Sequence, residues 1–166
     1  MLESALRRRA NLPILRLLAE SWQAFEALSA RHVRQLGLTP AQFDVIATLG
    51  NTAGMSFREL GQRTLITKGT LTGVVDRLEA AGMVARQTAP RDGRSTIVTL
   101  TPAGVACFEH VFPAHLAHVA PAFDGLDEEG RRRITTALAE LRDRFLSAAA
   151  RQGGLVEHAG HGEVAS

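Results

Sequence analysis

Two capping boxes and a third helix start fall between residues 39 and 68. Thr39-Pro40-Ala41-Gln42 and Ser56-Phe57-Arg58-Glu59 each set a hydroxyl three residues before an amide or carboxylate that can answer it. Each therefore opens a helix. Pro40 sits where a fixed φ and a missing N–H cost nothing. Thr67 caps a third helix from Lys68 to about Ala81, and Gly82 stops it. In that helix Leu71, Val74, Val75 and Leu78 recur at i, i+3, i+4 and i+7, one apolar stripe. Helices started this closely are short and must turn on one another. Phe43, Ile46, Ala47 and Leu60 supply the inward faces of the first two, and Thr64-Leu65-Ile66 is the turn before the third.

The chain then changes period. Residues 83–88 have strand character, and Ser95-Thr96-Ile97-Val98-Thr99-Leu100 is rich in β-branched residues. Ala89-Pro90-Arg91-Asp92-Gly93-Arg94 between them is turn chemistry, so the two runs form a hairpin. Helix, short helix, turn, helix and hairpin is the order of a winged helix-turn-helix. The third helix of such a unit enters the DNA major groove. The fold class expected is mainly α, with a small β-hairpin wing and a helical dimerisation region.

The face of helix 68–81 opposite its apolar stripe holds Gly69, Thr72, Gly73, Asp76 and Arg77, with Thr70 at the border. Each glycine in a helix costs about 1 kcal/mol relative to alanine. A merely structural surface gains nothing for that cost, whereas a helix that must lie close to DNA does. Threonine hydroxyls suit phosphates, and arginine suits guanine or phosphate. Lys68 stands in the first turn, where backbone amides also meet phosphate. Ser56, Thr67, Lys68, Gly69, Thr70, Thr72, Gly73, Arg77, Arg91 and Arg94 are the candidate DNA contacts. Arg94 suits a narrow minor groove. Asp92 and Arg86 are read as supports of the wing, Asp92 by orienting an arginine.

Charge distribution agrees with this reading although total charge does not help. The 166 residues carry a net charge of only +2, and Lys68 is the single lysine among 19 basic residues. From Arg58 to Leu100, however, seven basic residues face four acidic ones. Where the charges lie, rather than their sum, points to nucleic acid.

Several motifs together make residues 39–104 similar to the MarR (multiple-antibiotic-resistance regulator) family of bacterial transcription factors. The wing pattern D-x-R-x-x-x-V/L is met by Asp92, Arg94 and Val98. L-T-x-x-G is met by Leu100, Thr101 and Gly104. D-R-L-E-x-x-G is met by Asp76-Arg77-Leu78-Glu79-Ala80-Ala81-Gly82. The resemblance implies an obligate homodimer and a regulator, usually a repressor, on palindromic operators. It also implies release from DNA when a small aromatic or phenolic acid binds between the dimerisation helices and the DNA-binding lobe.

The flanking segments fit. A helix over Pro13 to about Gln35 carries Leu18, Trp22, Phe25, Ser29, His32 and Leu36 on one stripe. Thr101-Pro102 opens another helix, with Pro113 inside it and Pro121 near its end. Asp127 caps a last helix to about Ala150, where Ile134, Leu138, Leu141 and Phe145 form a coiled-coil-like seam and a candidate dimer interface. These helices carry more apolar residues than one small winged domain can cover. The boundaries expected are an N-terminal arm over 1–12, one unit over 13–150 and a disordered tail over 151–166. Within the unit, 38–101 is the DNA-binding lobe, and 13–37 with 102–150 are dimerisation helices.

Trp22, Phe25, His32 and Phe43 are the candidate ligand contacts, with Arg16 and Arg63 as anionic partners. No cofactor or metal is expected. A zinc response through His115 and His118, a redox response through Cys107 and a protein-interaction module are the alternatives. Nothing resembles an enzyme's nucleophile set, P-loop or dinucleotide fingerprint. No run of 18 apolar residues and no secretory signal is legible, so a cytoplasmic protein with no membrane partner is expected.

Overall fold

The computed structural model describes residues 9–89 and 92–159; the side chains of Lys68, Ala89, residues 92–95 and residues 153–159 lie outside that description. Arg91 is outside it altogether. The elements are α1 (Leu12–Gln35), α2 (Pro40–Leu49), β1 (Met55–Ser56), α3 (Phe57–Arg63), α4 (Lys68–Ala80), β2 (Val84–Ala89), β3 (Asp92–Leu100), α5 (Pro102–Val119) and α6 (Glu128–Ala159). A 3-10 turn over Ala120–Phe123 follows α5.

Both capping boxes form as the sequence predicts. Gln42 N–H donates to Thr39 Oγ1 at 3.2 Å while Thr39 N–H donates to Gln42 Oε1 at 3.0 Å. Glu59 N–H donates to Ser56 Oγ at 3.2 Å and Ser56 N–H to Glu59 Oε2 at 2.9 Å. Thr67 occupies the cap position of α4 but makes no side-chain cap bond. Its hydroxyl pairs instead with that of Thr70, 3.0 Å away.

The winged lobe is built around one core. Val45, Ile46 and Leu49 of α2 meet Leu60 of α3, the Leu71-Val74-Val75-Leu78 stripe of α4, Val84 and Val98 of the sheet and Phe108 of α5. Each of these aliphatic side chains contributes about 1.5–3 kcal/mol by leaving water. The sheet runs β1-β3-β2, all antiparallel, with Met55 opposite Val98 and Val84 opposite Leu100. The hairpin was legible, but β1 was not. Its two residues are a strand only because Val98 and Ile97 pair with them.

The L-T-x-x-G motif has a local structural role. Gly82 turns the chain after α4 at φ +71°, a region that L side chains avoid. Thr101 Oγ1 donates to the Gly82 carbonyl at 2.6 Å and accepts from Gly104 N–H at 3.1 Å. A Cβ on Gly104 would stand 1.9 Å from the Met83 carbonyl oxygen, so only glycine lets α5 start this close to the strand.

The chain divides into two compact units after Ala122, where the sequence suggested one unit over 13–150. The boundary falls at the 3-10 turn, with Gly125 at φ +79° just beyond it. In the second unit, Asp127 Oδ1 accepts from Gly130 N–H at 2.7 Å, the cap expected for α6. Helix α6 continues to Ala159, past the expected end near Ala150, so residues 151–159 are helical rather than tail. Gly153 and Gly154 lower helix propensity by only about 1 kcal/mol each, and a formed helix propagates through such a cost.

Candidate nucleic-acid interface

Helix α4 presents its polar face to solvent. Gly69, Thr70, Thr72, Asp76 and Arg77 are exposed, and Gly73 is half-buried. A Cβ on Gly69 would meet nothing within 4 Å, so no packing among the described residues requires glycine there. A Cβ on Gly73 would lie 3.4 Å from an Arg77 guanidinium nitrogen, so Arg77 lies back along its own helix.

Arg86 on β2 is the structural centre of this surface. Its guanidinium donates to Asp76 Oδ1 at 2.6 Å and to Glu79 Oε2 at 2.5 Å, both on α4. It also lies 5.8 Å from the centre of the Phe57 ring. The two carboxylates, Asp76 first, hold this guanidinium even more firmly protonated than usual. Arg86 therefore supports the wing through α4. The pairing has a second effect: the guanidinium offsets one of the two negative charges of α4, and Arg77 on the exposed face balances the other.

The remaining candidates are placed as follows. Ser56 is committed to its capping box and donates to Glu59 Oε2 at 2.7 Å. Asp92 and Arg94 lie on β3 with side chains outside the description, as is that of Lys68.

A cleft of about 530 Å³ opens between α1, α2, α5 and the turn before α4. Trp22, Phe25, Ser29, Phe43 and His115 line it, as do Leu65, Ile66, Thr67 and Thr70. Thr67 and Thr70 thus belong both to this wall and to the first turn of α4. Asp44 closes one side, and its Oδ2 accepts from Leu65 N–H at 2.7 Å, tying α2 to that turn. Burial pushes the Asp44 carboxyl above its ordinary value, against the pull of its bonds to Leu65 N–H and Thr48.

Three of the six ligand candidates, Trp22, Phe25 and Phe43, line the cleft. His32 stands behind it, with Nδ1 3.2 Å from His115 Nδ1. Arg16 and Arg63 do not line it. Arg16 lies further up α1 and is ion-paired with Glu20 at 2.7 Å. Arg63 ends α3 on its exposed side, near Glu59.

His115 was missed as a cleft residue because its neighbours come from distant parts of the chain. Its Nε2 shares a hydrogen bond with Ser29 Oγ at 3.1 Å, and the Phe43 ring meets it edge-on at 4.7 Å. His118 stacks on His32 at 4.1 Å. Burial, then the charges that His32 and His118 would carry, lowers the His115 pKa. Among the described residues no three His, Cys, Asp or Glu side chains are grouped to hold a metal. Cys107 is half-buried, and burial pushes its thiol up, away from the reactive thiolate.

In the second unit, Ile134, Leu138 and Phe145 are exposed along α6, and Leu141 is half-buried. Among the described residues no helix is long and apolar enough to cross a membrane.

Comparison with known proteins agrees with this geometry. The sequence model of the MarR family matches residues 36–95. YkoM, an HTH-type transcriptional regulator of Bacillus subtilis, is 29% identical over 82% of this chain and 87% of its own. BpsR of Bordetella bronchiseptica, whose DNA binding is regulated by 6-hydroxynicotinic acid, is 30% identical with a TM-score of 0.69. That likeness covers 78% of this chain and 98% of BpsR. NadR, solved with 4-hydroxyphenylacetate, is 26% identical with a TM-score of 0.66, over 75% of this chain and 88% of its own. The likenesses to YkoM, BpsR and NadR span three quarters or more of the chain. The chain belongs to the MarR family, the HTH-type regulators of transcription that bind DNA.

Proposed function

We propose that the protein is a homodimeric repressor that binds palindromic operators and releases them when a small aromatic or phenolic molecule fills the cleft. The observation that carries this reading is the polar face of α4, with an exposed glycine that the protein's own packing does not need. The α4 helix enters the major groove, with Gly69, Thr70, Thr72 and Gly73 allowing close approach. Arg77 contacts base or phosphate, Lys68 and Arg91 contact phosphate, and Arg94 reaches the adjacent minor groove. Residues 38–101 act as the DNA-binding lobe and the helices on either side as the dimerisation part. Two lobes related by a two-fold axis match half-sites about one DNA turn apart.

Release follows from the shared wall. A ligand against Trp22, Phe25 and Phe43 also touches Leu65, Ile66 and Thr67, the turn that delivers α4. Binding favours a dimer whose two α4 helices no longer fit the half-site spacing. The regulated effector of BpsR and the ligand of NadR support a small aromatic effector here.

The test is fluorescence anisotropy on the DNA upstream of the protein's own gene. Arg77→Ala and Arg94→Ala should each weaken binding about 10-fold or more, the loss of one good base or phosphate contact. Unchanged affinity in both variants sinks the assignment.

A further inference from the structure

The charge of the cleft wall narrows the effector class. Among the described residues, Glu26 and Asp44 are its charged side chains, both acidic, and no arginine lines it. Glu26 is exposed on α1, whereas Asp44 is half-buried on α2. The arginines expected to meet an anion are elsewhere: Arg16 is paired with Glu20, and Arg63 lies near Glu59. His115 could supply positive charge only if protonated, and burial together with His32 and His118 lowers its pKa.

An aromatic acid would bring a third carboxylate into this partly desolvated space, where repulsion is less screened than in water. An aromatic cation meets the opposite situation. Its ring stacks against Trp22, Phe25 and Phe43, the aromatic faces attract positive charge, and two carboxylates stand ready as counter-ions. We propose that the cleft selects a protonated aromatic amine over an aromatic acid, with Glu26 and Asp44 as its counter-charges. This rests on the reading of the cleft as the effector site, and it departs in charge from the acids named for BpsR and NadR.

The same contact explains transmission. Asp44 Oδ2 holds the Leu65 N–H in the turn before α4. An ammonium group on Asp44 competes for that oxygen, and the turn loosens as the ligand binds. Recognition and release then pass through one carboxylate.

Three probes of nearly equal size separate charge from shape: tyramine, the neutral tyrosol and 4-hydroxyphenylacetate. Trp22 is the only tryptophan and lines the cleft, so quenching of its fluorescence reports occupancy directly. At neutral pH tyramine should bind about 10-fold or more tightly than 4-hydroxyphenylacetate, with tyrosol between them. Asp44→Asn and Glu26→Gln should each weaken tyramine several-fold and strengthen the acid. Glu26 is exposed, so its variant stays informative even if Asp44→Asn disturbs folding. Equal or tighter binding of the acid, or an unchanged order in the variants, overturns the charge assignment alone. Quenching by none of the three overturns the effector cleft and this inference with it. Trp22 emission that shifts blue with protein concentration, with no response to probes, assigns the cleft to a second copy and overturns both as well.

Discussion

His115 is a buried imidazole with every polar atom engaged. Ser29 Oγ stands at Nε2 and His32 Nδ1 at Nδ1, and His32 is in turn stacked on His118. Burial and the two neighbouring rings lower its pKa below 6.5 in the folded protein. The unfolded chain, where the ordinary value returns, binds the proton more readily. The stabilising contribution of a neutral His115 is therefore complete above about pH 6.5 and is lost as pH falls toward the depressed folded value. Melting temperature should drop between about pH 7.5 and about pH 5.5, and His115→Gln should flatten that dependence. Equal slopes for the two proteins would refute it. Arg86 makes a different kind of residue-scale prediction. Its side chain is 26% exposed and bridges Asp76 and Glu79, whose carboxylates are 56% and 40% exposed, so water screens part of the pairing. Arg86→Gln should cost about 1–2 kcal/mol in urea unfolding and weaken DNA binding, because the wing loses its tie to α4. Sequence spacing alone does not reveal that tie. The partners lie seven and ten residues back, across the Gly82 reversal, and meet only once β2 has docked on α4.

At the scale of elements, two glycines in the same lobe should respond oppositely to the same change. Gly104→Ala puts a methyl 1.9 Å from the Met83 carbonyl oxygen, and backbone on both sides must move. It should cost more than about 2 kcal/mol, read by thermal or urea unfolding. Gly69→Ala meets open space within an exposed helical turn. It should stabilise the protein by up to about 1 kcal/mol while weakening operator binding. A Gly69→Ala protein that is more stable and binds DNA as well as before would remove the argument from close approach. The contrast also marks what the sequence could yield. Helix starts were legible because capping boxes are local, and the α4 stripe was legible because its period is local. The two-residue strand β1 was not, since its identity lies in the partners Val98 and Ile97. Nor was the cleft: Ser29, Phe43 and His115 are brought together by three helices, and the apolar spacing of each reads equally well as core. The missing arginines follow the same rule, since Arg16 has a local partner in Glu20 that a helix face supplies.

For the whole molecule, the exposed apolar surface is the quantity to explain. On α1, outside the cleft, Leu12, Ile14, Leu15, Leu17 and Leu18 are all exposed, and on α6 so are Ile134, Leu138, Phe145 and Leu146. A soluble monomer rarely leaves contiguous apolar patches larger than a few hundred Å² open, so these surfaces call for a partner. In the homodimer proposed above, a second copy of the chain would satisfy the demand and give the DNA-binding lobe its two-fold mate. Light scattering should therefore report a dimer, and thermal stability should rise with protein concentration. Leu138→Asp with Phe145→Asp should yield a monomer that keeps α4 and the wing intact. Such a monomer engages one half-site at a time and loses the effective concentration that a tethered second lobe provides. Operator affinity should then fall by about 10²–10⁴-fold, far beyond the loss of either arginine alone. The salt dependence separates this from unfolding. A folded monomer releases about half as many counterions as the dimer, so its slope of log affinity against log salt should be about half the parent value. An unfolded variant would lose the helical circular-dichroism signal as well. A double variant that remains dimeric, or that binds the full operator undiminished, would separate DNA recognition from the apolar surface of α6.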